Sequence, residues 1–286
     1  MELEITLLVL FSALIHSIWN IQLKKSNDPI TYIIAIAIVG WIIFTPYAIY
    51  RLFNSTISTE TFLFTFSSLL IHFFYFIFLG KAYSKFELSV VYPIARGLSV
   101  FLIPVYGIFI LNEKMTFQAV AGCFLIIFGI IMTGSISVGD ITNKEKRKLF
   151  LKSGAFSAIL IGIIISFYSL VDKKASSGID PFLFVWITDL SAVILGIRFL
   201  RNSNFRNQFT KENIRLIIPG ALQYSSYAIV IYAYSSTMLS YAGTFREIGT
   251  VFGAIFAKIF LKEEFGRKKT LGILLIVLGA FLISIF

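Results

Sequence analysis

The stretch KAYSKFELSVVYPIARGLSVFLIPVYGIFILNEKMTFQAVAGCFLIIFG, residues 81–129, recurs toward the C-terminus as IYAYSSTMLSYAGTFREIGTVFGAIFAKIFLKEEFGRKKTLGILLIVLG, residues 231–279. At a constant offset Arg96 falls on Arg246, Leu111 on Leu261, Glu113 on Glu263, Gly122 on Gly272, Leu125 on Leu275, Ile126 on Ile276 and Gly129 on Gly279. One ancestral unit has been duplicated. Long apolar chains built from two homologous halves are a plan that many secondary transporters use, with the substrate held between the halves.

Beyond the repeated stretch the chain is apolar throughout. Hydrophobic residues make up 57% and charged residues 14%, with a mean hydropathy of +0.86, far from the balance of a soluble domain. These values define a polytopic membrane protein. The first apolar run is about 20 residues long and others follow it, so it reads as a first span and not as a cleaved leader. The single cysteine, Cys123, sits in an apolar run and excludes an internal disulfide or a cysteine-based metal cluster. The net charge of +10 comes from basic residues in short connections between apolar runs, where membrane topology accounts for them and nucleic-acid binding is excluded.

Crossing roughly 30 Å of hydrocarbon as a helix takes about 20 residues, because each backbone amide must be satisfied within the span. Ten such runs fit: 3–23, 30–52, 61–83, 88–111, 116–136, 151–173, 180–200, 214–238, 240–261 and 268–285. The fold expected is all-α and integral to the membrane. Residues 3–136 form one five-helix repeat, 137–150 a basic connection, and 151–286 a second five-helix repeat. An odd number of helices per repeat makes the second copy enter from the opposite side, so the repeats are inverted.

Apart from Arg96 and Arg246, nineteen basic residues follow odd-numbered spans and four follow even-numbered ones. The positive-inside rule then places both termini outside the cytoplasm of a cell-membrane protein.

The stretches HSIWNIQLKKS at 16–26, YPIARG at 92–97, LNEKMT at 111–116 and LKEEFGRKKTLGILLIVLG at 261–279 together resemble the EamA family of the drug/metabolite transporter superfamily. The resemblance covers essentially the whole chain. It implies a ten-helix, five-plus-five inverted-repeat carrier with a central cavity, whose relatives export amino acids, other metabolites or toxic compounds, or carry nucleotide sugars or sugar phosphates. The two copies differ where the first reads YPIARG and the second TFREIG, which removes the proline and introduces Glu247. Functional symmetry between the halves is not expected.

The buried arginines are the strongest site signal, since a guanidinium within a span is costly and faces a partner or water. Arg96 and Arg246 either bind a carboxylate or phosphate of the solute or pair with a fixed carboxylate. Glu247 and Asp189 are the most deeply placed acids, and either can form an ion pair or carry a coupling proton. His16, Trp19 and Asn20 share one face of the first helix at i, i+3 and i+4, with His16 as a proton carrier and Trp19 and Asn20 as solute contacts. His72 and Tyr75 share a face of the third helix, His72 titratable near mid-membrane and Tyr75 part of an aromatic surface. Tyr92 in YPIARG and Tyr227 in helix eight complete the expected solute contacts. Gly249, Gly253 and Ala257 read as a ladder for close helix approach.

The chain has no GxxxxGK[ST] loop, HExxH or CxxC, so ATP-driven pumping and zinc-peptidase chemistry lack support, and no metal or other cofactor is expected. Transport then runs on a gradient. The favoured function is secondary export of a small metabolite or toxic compound by alternating access, with proton antiport as a coupling mode. Its partners are a small-molecule substrate and membrane lipid, and the protein is a monomer or homodimer. A membrane-embedded lipid or sugar transferase, or a non-transporting partner subunit, is the rival. A transferase needs a carboxylate cluster at one membrane face, and the sequence shows scattered acids instead.

Overall fold

The computed structural model describes residues 1–86, 88–133, 154–209, 214–262 and 266–285; within them the side chains of Lys24, Tyr83, Ser84, 88–90, Tyr92, Pro93, Ile214 and Leu261 lie outside the description. The described residues form helices and short connections, with no strand among them. In chain order the helices are α1 Leu3–Lys25, α2 Pro29–Asn54, α3 Thr59–Lys85, α4 Leu88–Ile110, α5 Phe117–Thr133 and α6 Phe156–Ser176. There follow α7 Pro181–Phe199, a short α8 Ser203–Gln208, α9 Ile214–Ser236, α10 Leu239–Phe245, α11 Gly249–Leu261 and α12 Arg267–Ile285.

Local chemistry fixes the helix starts. Asp28 and Asp180 each precede a proline, and each carboxylate caps the helix it opens: Asp28 accepts from Thr31 N at 3.2 Å, and Asp180 from Phe182 N at 3.0 Å and Leu183 N at 3.1 Å. Ser58 caps α3 through Thr61 N at 3.1 Å. The chain leaves α4 and α11 through residues in the left-handed region, Asn112 and Lys262, both at φ 55°. These two positions are equivalents in the sequence repeat, so the duplication is visible in backbone geometry.

Among the described residues seven helices are long and apolar enough to cross a membrane: α1, α2, α3, α6, α7, α9 and α12. The apolar parts of α4 and α5, Ile94–Ile110 and Phe117–Thr133, are shorter. Large apolar side chains face outward, among them Leu3, Leu7 and Phe11 at one-turn spacing on α1 and Phe117, Phe124 and Phe128 on α5. In water such stripes would be costly, whereas in lipid they are the solvent-facing surface. The protein is a multi-pass membrane protein.

The segment expected as one span at 240–261 is interrupted. α10 ends at Phe245, a 3-10 turn occupies Arg246–Ile248, and α11 starts at Gly249. Gly249 N–H is shared between the carbonyls of Arg246 and Glu247, the tighter bonding of a 3-10 turn.

The helices gather into two compact units, each taking chain from both sequence halves. One comprises Tyr75–Leu170 and Met238–Phe286 with Met1, the other Glu2–Phe74 and Val171–Thr237. In the first, α5 packs against α12. A Cβ added to Gly122 would lie 2.6 Å from Gly279 O, and one added to Gly129 would lie 2.6 Å from Gly272 O. The reverse substitutions meet the same crossing, with Gly122 O 2.5 Å from a Cβ on Gly279 and Gly129 O 2.7 Å from one on Gly272. The glycine pair of one repeat therefore meets that of the other in reverse order, Gly122 against the counterpart of Gly129 and Gly129 against the counterpart of Gly122, which is an antiparallel crossing with the close approach that small residues permit in lipid.

In the second unit α2 packs on α7 and α9, and α1 on α9. Gly40 and Gly220 allow another close crossing, with 2.6 Å between an added Cβ on Gly40 and Gly220 O. Trp41 and Trp186 stack at 5.2 Å; Trp41 Nε1 donates to Trp186 O at 3.0 Å, and Trp186 Nε1 to Thr45 Oγ1 at 2.9 Å. The ladder expected at Gly249, Gly253 and Ala257 is not a seam at its middle step, because a Cβ on Gly253 would meet nothing within 4 Å.

Candidate transport site

In the first unit the 3-10 turn carries the charge. Arg96 of α4 reaches Glu247 at 2.8 Å; Glu247 is 1% exposed and the Arg96 side chain 15%. A guanidinium and a carboxylate removed from water compensate each other's desolvation only when they are this close. Arg96 thus has a fixed carboxylate partner, and that partner comes from the repeat position where TFREIG departs from YPIARG. Arg246, next to Glu247 in the turn, is half-buried. Glu113, which the sequence presents as a polar helix terminus, fixes the start of α10, because its Oε1 accepts from Leu239 N at 2.6 Å and its Oε2 from Ser240 N at 2.9 Å. Tyr75 packs edge-on against Tyr168 at 5.7 Å in the same unit. Tyr92 belongs to α4, and its side chain lies outside the described residues.

In the second unit a carboxylate outside the expected site residues gathers the polar groups. Asp172 of α6 is fully buried. Its Oδ1 accepts from Ser68 Oγ at 2.5 Å, and its Oδ2 accepts from Tyr227 OH. His72 stands one turn beyond Ser68, with Nδ1 3.1 Å from Ser68 Oγ and 2.9 Å from Ser68 O, and its ring meets Tyr227 edge-on at 5.7 Å. Two expected site residues, His72 and Tyr227, are therefore brought together around Asp172, a carboxylate not among them. The neighbouring Lys173 donates to the carbonyls of Tyr234 and Thr237 and ties down the end of α9. The one-turn spacing of Ser68 and His72 was the available signal.

Other expected residues of the same unit lie on α1 and α7. His16 and Trp19 meet edge-on at 4.7 Å, and Asn20 Nδ2 donates to His16 O at 2.9 Å, so Asn20 is held by its own helix. Trp19 is buried, with no hydrogen-bond partner for Nε1 among the described residues. Asp189 is buried in α7 beside Gln223 of α9, and among the described residues both Asp189 Oδ2 and Gln223 Oε1 lack hydrogen-bond partners. Among the described residues no group of three or more His, Cys, Asp or Glu is placed to hold a metal ion.

An ion pair buried in one unit and a hydrogen-bonded carboxylate buried in the other belong to the class of multi-pass membrane proteins with charged groups inside their spans. More particularly, the chain carries an EamA-like transporter unit, since residues 152–285 match the model of the EamA-like transporter family, part of the drug/metabolite transporter superfamily. Two relatives bear the name "Putative sugar uptake protein". One, from Listeria innocua, is 21% identical over 72% of each chain, and the other, from Listeria monocytogenes, is 23% identical over 72% of each chain. A crystal structure of another protein superposes with a TM-score of 0.76 at 13% identity, covering 99% of this chain and 96% of that one, and shows a shared fold.

Proposed function

We propose that the protein is a secondary-active carrier that moves a small polar metabolite across the cell membrane by alternating access, coupled to protons. Its ten spans form two inverted five-helix repeats with both termini outside the cytoplasm. The antiparallel crossing of α5 with its repeat counterpart α12, glycine pair against glycine pair in reverse order, supports the inversion. The observation that carries the function is the Arg96–Glu247 pair at an interrupted helix. Charged side chains within apolar spans mark the paths of solutes and protons; here they sit where the helix tightens into a 3-10 turn without leaving helical backbone, and a buried ion pair contributes little to stability that apolar packing would not.

Arg96, Arg246, Trp19, Asn20, Tyr75, Tyr92 and Tyr227 are proposed as solute contacts, and His16, His72, Asp189 and Glu247 as proton-coupling groups. Asp172 joins them as the acceptor that orients Tyr227. Amino acids are the first solutes to test. A sugar is the second reading, supported by the names of the two Listeria relatives and by the hydroxyl-rich setting of Asp172.

The test is flux of labelled amino acids and sugars in proteoliposomes, with a pH gradient imposed at clamped membrane potential. Uptake or release that follows the gradient for one solute is expected. Flux of a transported solute that ignores the gradient would remove proton coupling, and no flux of any solute by folded protein would remove the carrier reading.

A further inference from the structure

The interrupted helix holds more buried polar atoms than the ion pair uses. Ser240, Thr244 and Glu247 recur at i, i+4 and i+7, one face of a helix, and their exposures are 0%, 0% and 1%. Ser240 Oγ and Glu247 Oε2 have no hydrogen-bond partner among the described residues, and the Thr244 hydroxyl has the Cys123 thiol of α5 as its neighbour. Roughly nine in ten buried polar atoms in folded proteins are paired, and the rest are usually met by ordered water. The three oxygens on successive turns form a line about 10 Å long, from the rise of a helix, and a line of this kind is what a file of water needs.

The two ends of the line differ. At Ser240 the backbone is held by the half-buried Glu113. Gly107 lets Glu113 approach that end, since a Cβ there would collide with Glu113 Oε2 and lie 3.0 Å from Ser240 Cβ. At Glu247 the line meets Arg96. Among the described residues, the other charged or titratable side chains on elements packed against this segment are Tyr241 of α10, Lys258 of α11, Arg267, Lys268 and Lys269 at the start of α12, Tyr106 of α4 and Cys123 of α5 beside Thr244, with Arg246 adjacent in the chain. Arg96 is the partner that the structure gives to Glu247.

We propose that Ser240 and Thr244, with intervening water, relay protons from the Glu113 end to Glu247, and that protonation of Glu247 releases Arg96 to a carboxylate or phosphate of the solute. This deepens the carrier reading and rests on it. A hydroxyl both donates and accepts, so each step passes one proton in and one out. Glu247 gains the proton and loses its charge, while Arg96 stays ionised and exchanges one anionic partner for another. The solute class is an organic anion, and its proton moves with it in the same direction.

The experiment is infrared spectroscopy of the full chain in bilayers, which needs no flux. A protonated-carboxyl band that titrates with pH is expected and is lost in Glu247→Gln, while in Glu247→Asp it moves instead. Its exchange in D2O is expected to slow severalfold in Thr244→Val and to recover in Thr244→Ser, with thermal unfolding showing each variant folded. Adding L-glutamate or inorganic phosphate at fixed pH is expected to strengthen the band. Survival of the band in Glu247→Gln or unchanged exchange in Thr244→Val overturns the relay. No response to either anion overturns the release of Arg96. If the spectra behave as expected and no solute is ever transported, it is the carrier reading that fails.

Discussion

Arg96 shows how a charge is accommodated within an apolar helix, because Glu247 meets it at 2.8 Å. Truncating one member strands the other, a loss of about 3–5 kcal/mol for a buried pair. Arg96→Met alone is therefore expected to destabilise the protein by about that much, measured by chemical unfolding in micelles, and Glu247→Gln in the same chain to recover most of the loss. A double variant as unstable as the single one would show that the two side chains are not coupled. The Asp172 network makes a second residue-scale prediction. Ser68→Ala removes one of the hydroxyls that satisfy a buried carboxylate, and about 1–3 kcal/mol should be lost in the same unfolding measurement. Neither partnership was legible in the sequence. Glu247 follows Arg246 directly and so draws attention to the wrong arginine, and Asp172 is followed by two lysines that imply an interface. Partners remote in the chain leave no local pattern.

At the scale of the element, apolar periodicity located most helices to within a few residues, because a span has to bond its backbone internally and so announces its length. What periodicity missed was the break at Arg246–Ile248, where no proline marks it. The repeated Asp-Pro starts were readable, and both are caps. Asp28→Ala is expected to cost about 0.5–2 kcal/mol; Asp180→Ala should cost more, because Asp180 also accepts from Tyr47 OH at 3.1 Å and pairs with Arg51 at 3.6 Å. Unfolding midpoints of the two variants give the comparison, and equal losses would show the extra partners to be idle. The glycines make a sharper contrast. Gly122→Ala forces a methyl against the Gly279 carbonyl and is expected to cost about 1–3 kcal/mol. Gly253→Ala meets nothing and is expected to be neutral or to gain up to about 1 kcal/mol from helix propensity.

For the molecule as a whole, duplication was plain in the sequence, but the grouping of helices was not. The repeats run in succession, whereas each compact unit draws on both of them. The sequence sets matching glycine pairs at two distant places, and nothing local to either place says that the pairs face each other. The proposed orientation is tested by a reporter fused after Phe286, expected to report a non-cytoplasmic location, and a cytoplasmic signal would reverse the topology.

The crossing of α5 with α12 also sets a timetable for biosynthesis. Gly122 and Gly129 enter the membrane early, yet the carbonyls they pack against belong to Gly279 and Gly272, which are translated much later. Until then α5 presents a notch to lipid, or to whatever chaperone guards it. Contacts so distant in the chain are slow to form and leave an intermediate exposed. A stop codon or frameshift ahead of α12 would thus disable a helix translated long before it, and quality control that senses the unfilled notch would be inspecting whether synthesis had reached α12.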